Sequence, residues 1–214
     1  TAKAYYGDDI VKQMLSRKFV AQPGGHFKYQ SGDTQLLGIV IERALNSKSL
    51  SQYFQEEFWQ PMGMELDAQW SKDNPEGIEK TYCCFNATAR DFAKLGQLLL
   101  NNGNWYGKQL LSTEFVQKMV LPNKKAFGPN EPQIYGYSVW MDYDYKTPFY
   151  AMLGHLGQRV IVIPSAKLVI VRTGKTHDDL PNTNPIADGD VYRLVDEAMR
   201  INEKVSENDT ANSL

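Results

Sequence analysis

The 214-residue sequence predicts an α+β fold, in which an antiparallel β-sheet is flanked by helices and adjoins a separate helical region. Apolar residues recur at helical spacing through the first part of the chain, and short β-branched or aromatic runs separated by turn residues replace them after Pro132. A last amphipathic stripe follows near Arg200. Helices followed by a meander of strands is the order of an α+β protein rather than of an alternating parallel fold. The expected organisation is a mostly helical region over residues 1–130, an antiparallel sheet with its C-terminal helix over 131–201, and a polar tail over 202–214.

Asp8 and Asp9 precede Ile10, Val11, Met14 and Leu15, the pattern of a capped amphipathic helix ending before Pro23-Gly24-Gly25. After Ser31-Gly32-Asp33, residues Leu36, Leu37, Val40, Ile41, Ala44 and Leu45 recur at helical spacing, with Asp33 placed to cap and Glu42-Arg43 on the wet face. That apolar stripe is expected to be buried. A short helix from about Leu50 to Trp59 is stopped by Pro61, with Gly63 in the turn behind it. Thr88 opens a helix carrying Phe92, Leu95, Leu98 and Leu99 that closes at Asn101-Asn102-Gly103, and Thr113 to Leu121 reads as one more. Tyr135 to Met141, Phe149 to Leu153, Gln158 to Ile163 and Leu168 to Arg172 are the expected strands. Val191, Leu194, Val195 and Ala198 mark a closing helix from Asp190 to Arg200.

Composition excludes several classes of function. Twenty-three basic side chains stand against 25 acidic ones, for a formal net charge of -2, so there is no basic excess to hold a nucleic-acid backbone. The longest apolar runs, such as Leu36 to Ile41, fall far short of the roughly 20 residues that span a bilayer, so no membrane span is expected. Cys83 and Cys84 are adjacent, a geometry that strains a mutual disulfide, and they are expected to be small apolar residues of a strand. There is no His-Glu-x-x-His, no Gly-x-x-x-x-Gly-Lys, no Gly-x-Gly-x-x-Gly and no Gly-x-Ser-x-Gly, which removes the main support for metalloprotease, phosphate-loop, dinucleotide and nucleophile-elbow chemistry. The acidic pairs Asp178-Asp179 and Glu56-Glu57 read as solvated surface.

Two short stretches carry chemistry. In Phe27-Lys28-Tyr29-Gln30-Ser31-Gly32-Asp33, a phenol and a hydroxyl two residues apart sit in the loop that feeds the second helix. Alternation along an extended loop points both the same way, where they could relay a proton to a leaving group. Read alone, Tyr29 is an edge aromatic of the core and Ser31 a cap or turn residue. In Gly154-His155-Leu156-Gly157-Gln158, immediately before a strand, Gly157 allows close approach of a substrate to the backbone and the Gln158 amide is a candidate oxyanion donor. Read alone, His155 is a structural turn histidine. Trp140, Tyr143, Tyr145 and Tyr150 could line an apolar cleft or simply pack.

Taken together, the run Phe27 to Gly38, the segment Trp59-Gln60-Pro61-Met62-Gly63-Met64, the segment Asn86 to Gly96 and the triplet His155-Leu156-Gly157 with Gln158 resemble, in order, the serine hydrolases of the β-lactamase and penicillin-binding-protein fold. The likeness is to the branch of class C β-lactamases, family VIII esterases and 6-aminohexanoate-dimer hydrolases, and it is strongest to the amide hydrolases, which use Tyr-x-Ser and His-x-Gly. The resemblance implies a β-lactamase/transpeptidase-like fold, present here incompletely. It implies Tyr29 as general base and acid, Ser31 in the proton network or on the substrate, and His155 orienting substrate and tuning Tyr29. Gly157 and the Gln158 amide fall on the substrate and oxyanion side. It also implies hydrolysis of a small amide, ester or β-lactam through an acyl-enzyme with no metal and no organic cofactor, and favours a bacterial periplasmic or envelope location over a cytoplasmic one.

The family's nucleophile lies in a Ser-x-x-Lys, in which one helical turn sets lysine beside serine to take its proton. No serine in this sequence has lysine three positions later. In the family that motif precedes the tyrosine element, so the expectation is that this chain, which starts at Thr1, is the C-terminal part of a longer enzyme, inactive alone and partnered by an N-terminal segment of the same protein. The missing helix should leave an apolar surface uncovered. The alternative is a catalytically inactive homologue that binds a ligand or a partner.

Overall fold

The computed structural model describes residues 7, 9–18, 20–22, 24, 26–46, 48–122, 127, 133–175 and 189–211, the last six of these by backbone alone. Asp8, Pro23, Gly25, Asp178 and Asp179 of the expected features lie outside the described residues, as do residues 212–214 of the expected tail. The structure is α+β, with helices and antiparallel sheets, as predicted. It divides into two compact units, Thr1–Thr88 and Ala89–Leu214. This division falls earlier than the change of character at residue 130, because the helices after Thr88 pack on the sheet.

In the first unit, α1 (Ile10–Leu15) starts where Asp9 accepts a hydrogen bond from the Lys12 N–H at 2.8 Å. Helix α2 (Ser31–Ala44) begins two residues before the expected cap: Gln30 is the N-cap, without a side-chain bond, and Asp33 lies in the first turn. A capping box of Ser49 and Gln52 opens α3 (Leu50–Phe54), which continues as a π-helical turn over Gln55–Trp59. A two-residue hairpin, β1 (Gln69–Trp70) with β2 (Phe85–Asn86), follows. Trp70 and Phe85 stack edge to face at 5.4 Å, and Phe54 and Trp59 complete the aromatic cluster.

Two expectations for this unit are overturned. The stripe on α2 is not buried: Leu36, Leu37, Val40 and Ile41 are 38%, 53%, 57% and 38% exposed, whereas Gln35, Gly38 and Ile39 face inward. The reason is polar. Gln35 donates to the Glu79 carbonyl at 3.1 Å and accepts from the Thr81 N–H at 2.9 Å, and the Thr81 hydroxyl donates to the Thr34 carbonyl at 2.9 Å. Gly38 lies so close to Thr81 that a Cβ there would come within 2.4 Å of its methyl, and Ile39 joins Ile10, Met14 and Ile78 in the small core. Cys83 and Cys84, expected as free strand residues, form a disulfide with each other. Cys84 takes a positive φ of 69° outside any strand, so a turn rather than a pleat accommodates the bond.

In the second unit, α4 (Ala89–Leu100) ends at Gly103, whose N–H returns to the Leu98 carbonyl at 2.8 Å. A short hairpin, β3 (Asn104–Trp105) with β4 (Lys108–Gln109), leads to α5 (Thr113–Val120). The sheet is a meander of β5 (Trp140–Asp142), β6 (Phe149–Leu153), β7 (Arg159–Ile163) and β8 (Leu168–Arg172), antiparallel throughout. The first expected strand is shorter than Tyr135 to Met141, because Gly136 donates to the Val139 carbonyl and folds that stretch back on itself. The closing helix α6 (Gly189–Ala211) runs beyond Arg200 into the stretch expected as a tail.

Period-two alternation sorts the sheet residues onto two covered faces. Phe149, Ala151, Ile161 and Ile163 pack with Val191, Tyr192 and Val195 of α6, while Met141, Tyr150 and Val162 pack with Leu99 of α4 and Val116 of α5. Gly96 lets α4 approach: a Cβ there would lie 2.6 Å from Val169. Every residue of β7 is buried. Tyr145 and Tyr150 are packing residues, and the Tyr143 hydroxyl donates to the Val120 carbonyl.

Burial pushes the Tyr150 phenol well above its usual range and the Tyr143 phenol up to about 12. The folded chain therefore keeps phenolic protons that the unfolded chain loses near pH 10, and stability should fall as pH rises from about 10 toward about 12. The last part of the tyrosinate absorbance and the loss of circular dichroism are expected to appear together in that window; complete tyrosine ionisation near pH 10 with the fold intact would contradict this.

Candidate active site

The residues singled out in the sequence fall in both units: Tyr29 and Ser31 in the first, His155, Gly157 and Gln158 in the second. Tyr29 is 53% exposed and lies just ahead of α2. Gln30 between it and Ser31 is extended, with φ −143° and ψ 123°, so the two side chains leave the chain on the same side. Ser31 is the first helical residue and half-buried. The start of α2 is held against α1, since a Cβ on Gly32 would stand 3.1 Å from Arg17 Nη1 and 3.6 Å from Met14 Sδ. Further along, Thr81 and Gln35 lock α2 to the Ile78–Tyr82 stretch. Glu42 on the same helix has its pKa raised, first by burial and then by the Glu79 carboxylate.

His155, Leu156 and Gly157 form a single 3₁₀ turn between β6 and β7. The imidazole and Leu156 are exposed, and Gly157 is buried. Leu156 and Gly157 both have positive φ, 55° and 79°; glycine takes this conformation without a steric penalty, and leucine does so at a cost. The turn is closed by the Gly154 N–H on the Gln158 carbonyl at 2.8 Å and by the Gln158 N–H on the His155 carbonyl at 3.3 Å. The Gln158 side-chain amide donates to the Gly174 carbonyl and accepts from the Gly174 N–H at 3.1 Å. It also donates to the Leu156 carbonyl at 3.4 Å, and thus ties the turn to the segment that follows β8.

Three charged residues missed in the sequence build this turn from beneath. Arg159 Nη1 donates to the Gly154 and Gln158 carbonyls at 2.8 and 3.1 Å, and Arg172 Nη1 donates to the Gly157 carbonyl at 2.6 Å. Asp190, 5% exposed, pairs with Arg159 at 3.4 Å. An arginine at one end of each of two otherwise apolar strands, Arg159-Val-Ile-Val-Ile and Leu-Val-Ile-Val-Arg172, was the available signal. Among the described residues no group of His, Cys, Asp or Glu side chains could hold a metal ion, and no helix is long and apolar enough to cross a membrane.

The chain is similar to a candidate 6-aminohexanoate-dimer hydrolase from Bacillus anthracis, with 31% identity and a TM-score of 0.74 over 92% of this chain and 49% of that one. It therefore spans about half the length of that relative. A candidate β-lactamase from Bacteroides dorei (19% identity, TM-score 0.65, 88% of this chain and 62% of that one) and a β-lactamase from Mycobacterium bovis (16%, 0.59, 77% and 62%) share the fold. No curated protein gives a match. The Beta-lactamase family model matches residues 1–192, and the chain belongs to the β-lactamase-like family of serine hydrolases.

Proposed function

We propose that this chain supplies the proton-transfer and oxyanion groups of a serine hydrolase that cleaves amide or ester bonds through an acyl-enzyme, with the nucleophilic serine donated by a segment outside these 214 residues. Tyr29 takes the proton from the nucleophile and returns it to the leaving group, and Ser31 hydrogen-bonds that network or the substrate. His155 orients the substrate, Gly157 leaves room for the substrate against the backbone, and the Gln158 N–H turns from the His155 carbonyl, which it meets at 3.3 Å, to receive the developing oxyanion. The observation that carries the reading is the Gly154–Gln158 turn, which offers an exposed imidazole beside a buried glycine of positive φ, at the head of a fully buried strand.

The exposed stripe Leu36, Leu37, Val40 and Ile41 on α2 supports a donated segment, because four large apolar side chains on one helix are the kind of surface a further helix covers. The relative of 31% identity makes a linear amide of the 6-aminohexanoate-dimer type the first substrate to try.

A polypeptide extended upstream to include a Ser-x-x-Lys is expected to hydrolyse such an amide or an activated ester and to gain covalent mass with a fluorophosphonate, while the 214-residue chain does neither. Turnover by the shorter chain would overturn the need for a donated serine. An extended polypeptide that takes no adduct would favour a ligand-binding homologue, the reading suggested by the absence of Ser-x-x-Lys within the chain.

A further inference from the structure

Cys83 and Cys84 are joined to each other across a single peptide bond. A disulfide stabilises a fold chiefly by closing a loop of the unfolded chain, an effect that grows with the number of residues enclosed. Between neighbours that effect is at its smallest. What the bond fixes is local: Cys84 sits at φ 69°, a conformation that residues with a side chain enter only at a steric cost.

The turn closed by this bond bulges from the ladder of β1 and β2. Trp70 pairs with Phe85 and Lys72 with Glu79. Between them Ser71 alone meets both ends of the loop: its N–H donates to the Cys84 carbonyl at 3.1 Å and its carbonyl accepts from the Lys80 N–H at 2.9 Å. Lys80 to Cys84 thus stand out of the ladder together, and this loop grips α2. The Thr81 N–H donates to Gln35 Oε1 and the Thr81 hydroxyl to the Thr34 carbonyl, both at 2.9 Å, while Tyr82 packs on the cluster of Ile10, Met14, Ile39 and Ile78. Gln35 lies one turn beyond Ser31 at the start of the helix. Both cysteines are half-buried rather than sealed in the cluster, and exposed disulfides are the ones that exchange with external thiols.

We propose that Cys83–Cys84 is a reversible thiol–disulfide site whose redox state sets how firmly Thr81 holds α2. A thiolate of a dithiol reductant attacks one sulfur, the bond between the two cysteines breaks, and a mixed disulfide forms. The second thiol of the reductant then displaces the cysteine, which closes the reductant's own disulfide and leaves two thiols on the chain. Two electrons and two protons pass to the protein, and a disulfide oxidant such as oxidised glutathione reverses the step. With the bond open, Cys84 is released from its positive φ, and the Thr81 bonds made by the same turn loosen. The inference is independent of the hydrolase reading.

Amide hydrogen exchange at Thr81 tests it, followed by NMR on the whole 214-residue chain in dithiothreitol and again after oxidised glutathione. Reduction of the folded chain is expected to let both cysteines react with iodoacetamide and to speed Thr81 exchange about tenfold relative to strand amides such as Ile161. Reoxidation should restore the parent rate. Cys83→Ser/Cys84→Ser should exchange at the reduced rate whatever the reductant. Cys83→Ser/Cys84→Gly, in which glycine takes a positive φ without the disulfide, should stay near the oxidised rate. A disulfide that dithiothreitol opens only when the chain unfolds overturns the proposal, as does a Thr81 rate that reduction leaves unchanged. So does a Cys83→Ser/Cys84→Gly rate as fast as that of Cys83→Ser/Cys84→Ser. The reduced parent takes the place of Cys83→Ser/Cys84→Ser if that variant does not fold.

Discussion

Tyr29→Phe, introduced into a polypeptide that carries the nucleophile, is expected to lower kcat for an amide substrate by about 10²–10⁴-fold, the usual contribution of a positioned acid or base. KM should change little, since the ring remains and only the hydroxyl is lost. An amide leaving group departs as an unstable anion unless it is protonated, so an activated ester should suffer a smaller loss. The fold should not be affected, because Tyr29 is 53% exposed and its ring is kept. Unchanged kcat toward both substrates would remove Tyr29 from the mechanism and shift the proton transfer to another group.

Arg159→Met is expected to destabilise the second unit by about 3–5 kcal/mol, the range for breaking a buried ion pair by removing one partner. The methionine fills much of the volume of the arginine stem. What it lacks is the head group that satisfies the Gly154 and Gln158 carbonyls and faces Asp190, itself 5% exposed. Against a total stability on the order of 5–15 kcal/mol for a domain, this is a large fraction. Urea unfolding of the 214-residue chain measures it. Removing the stranded carboxylate as well, in Arg159→Met/Asp190→Leu, should recover part of the loss, because the two residues are coupled and their effects are not additive. A cost below about 1 kcal/mol, typical of an exposed pair, would show that the cluster is hydrated and bears little on the turn.

How far the sequence could be read depended on the range of the interactions involved. Phe149 to Leu153, Gln158 to Ile163 and Leu168 to Arg172 were legible as strands because β-branched and aromatic residues between turn signals favour a pleated backbone wherever they lie, and the structure places β6, β7 and β8 there within a residue. The capped start at Asp9 and the glycine stop at Gly103 were legible for the same reason: each is a bond to the adjacent turn. Helix α2 shows the limit. Its periodicity located the helix but pointed to the wrong buried face, since Gln35 faces inward through partners 44 and 46 residues away in Glu79 and Thr81. Cys83–Cys84 failed likewise, because whether neighbouring cysteines can join depends on the turn that carries them.

The candidate site divides along the same line. Tyr29, Ser31, His155, Gly157 and Gln158 were recognisable as short ordered motifs, and the family they resemble is the family to which the chain belongs. Arg159, Arg172 and Asp190 were not, because their meeting requires a strand register and a helix docked over it. The amino-acid sequence by itself determined the α+β class, the places of the principal helices and strands, and the family, since propensity, capping and motif spacing act between near neighbours. Only the tertiary structure decided which face of α2 is buried, which cysteines join, and which charges stand behind the His155 turn. Those outcomes follow from desolvation and hydrogen bonding between residues tens of positions apart, where a buried polar group must find a partner that no local pattern records.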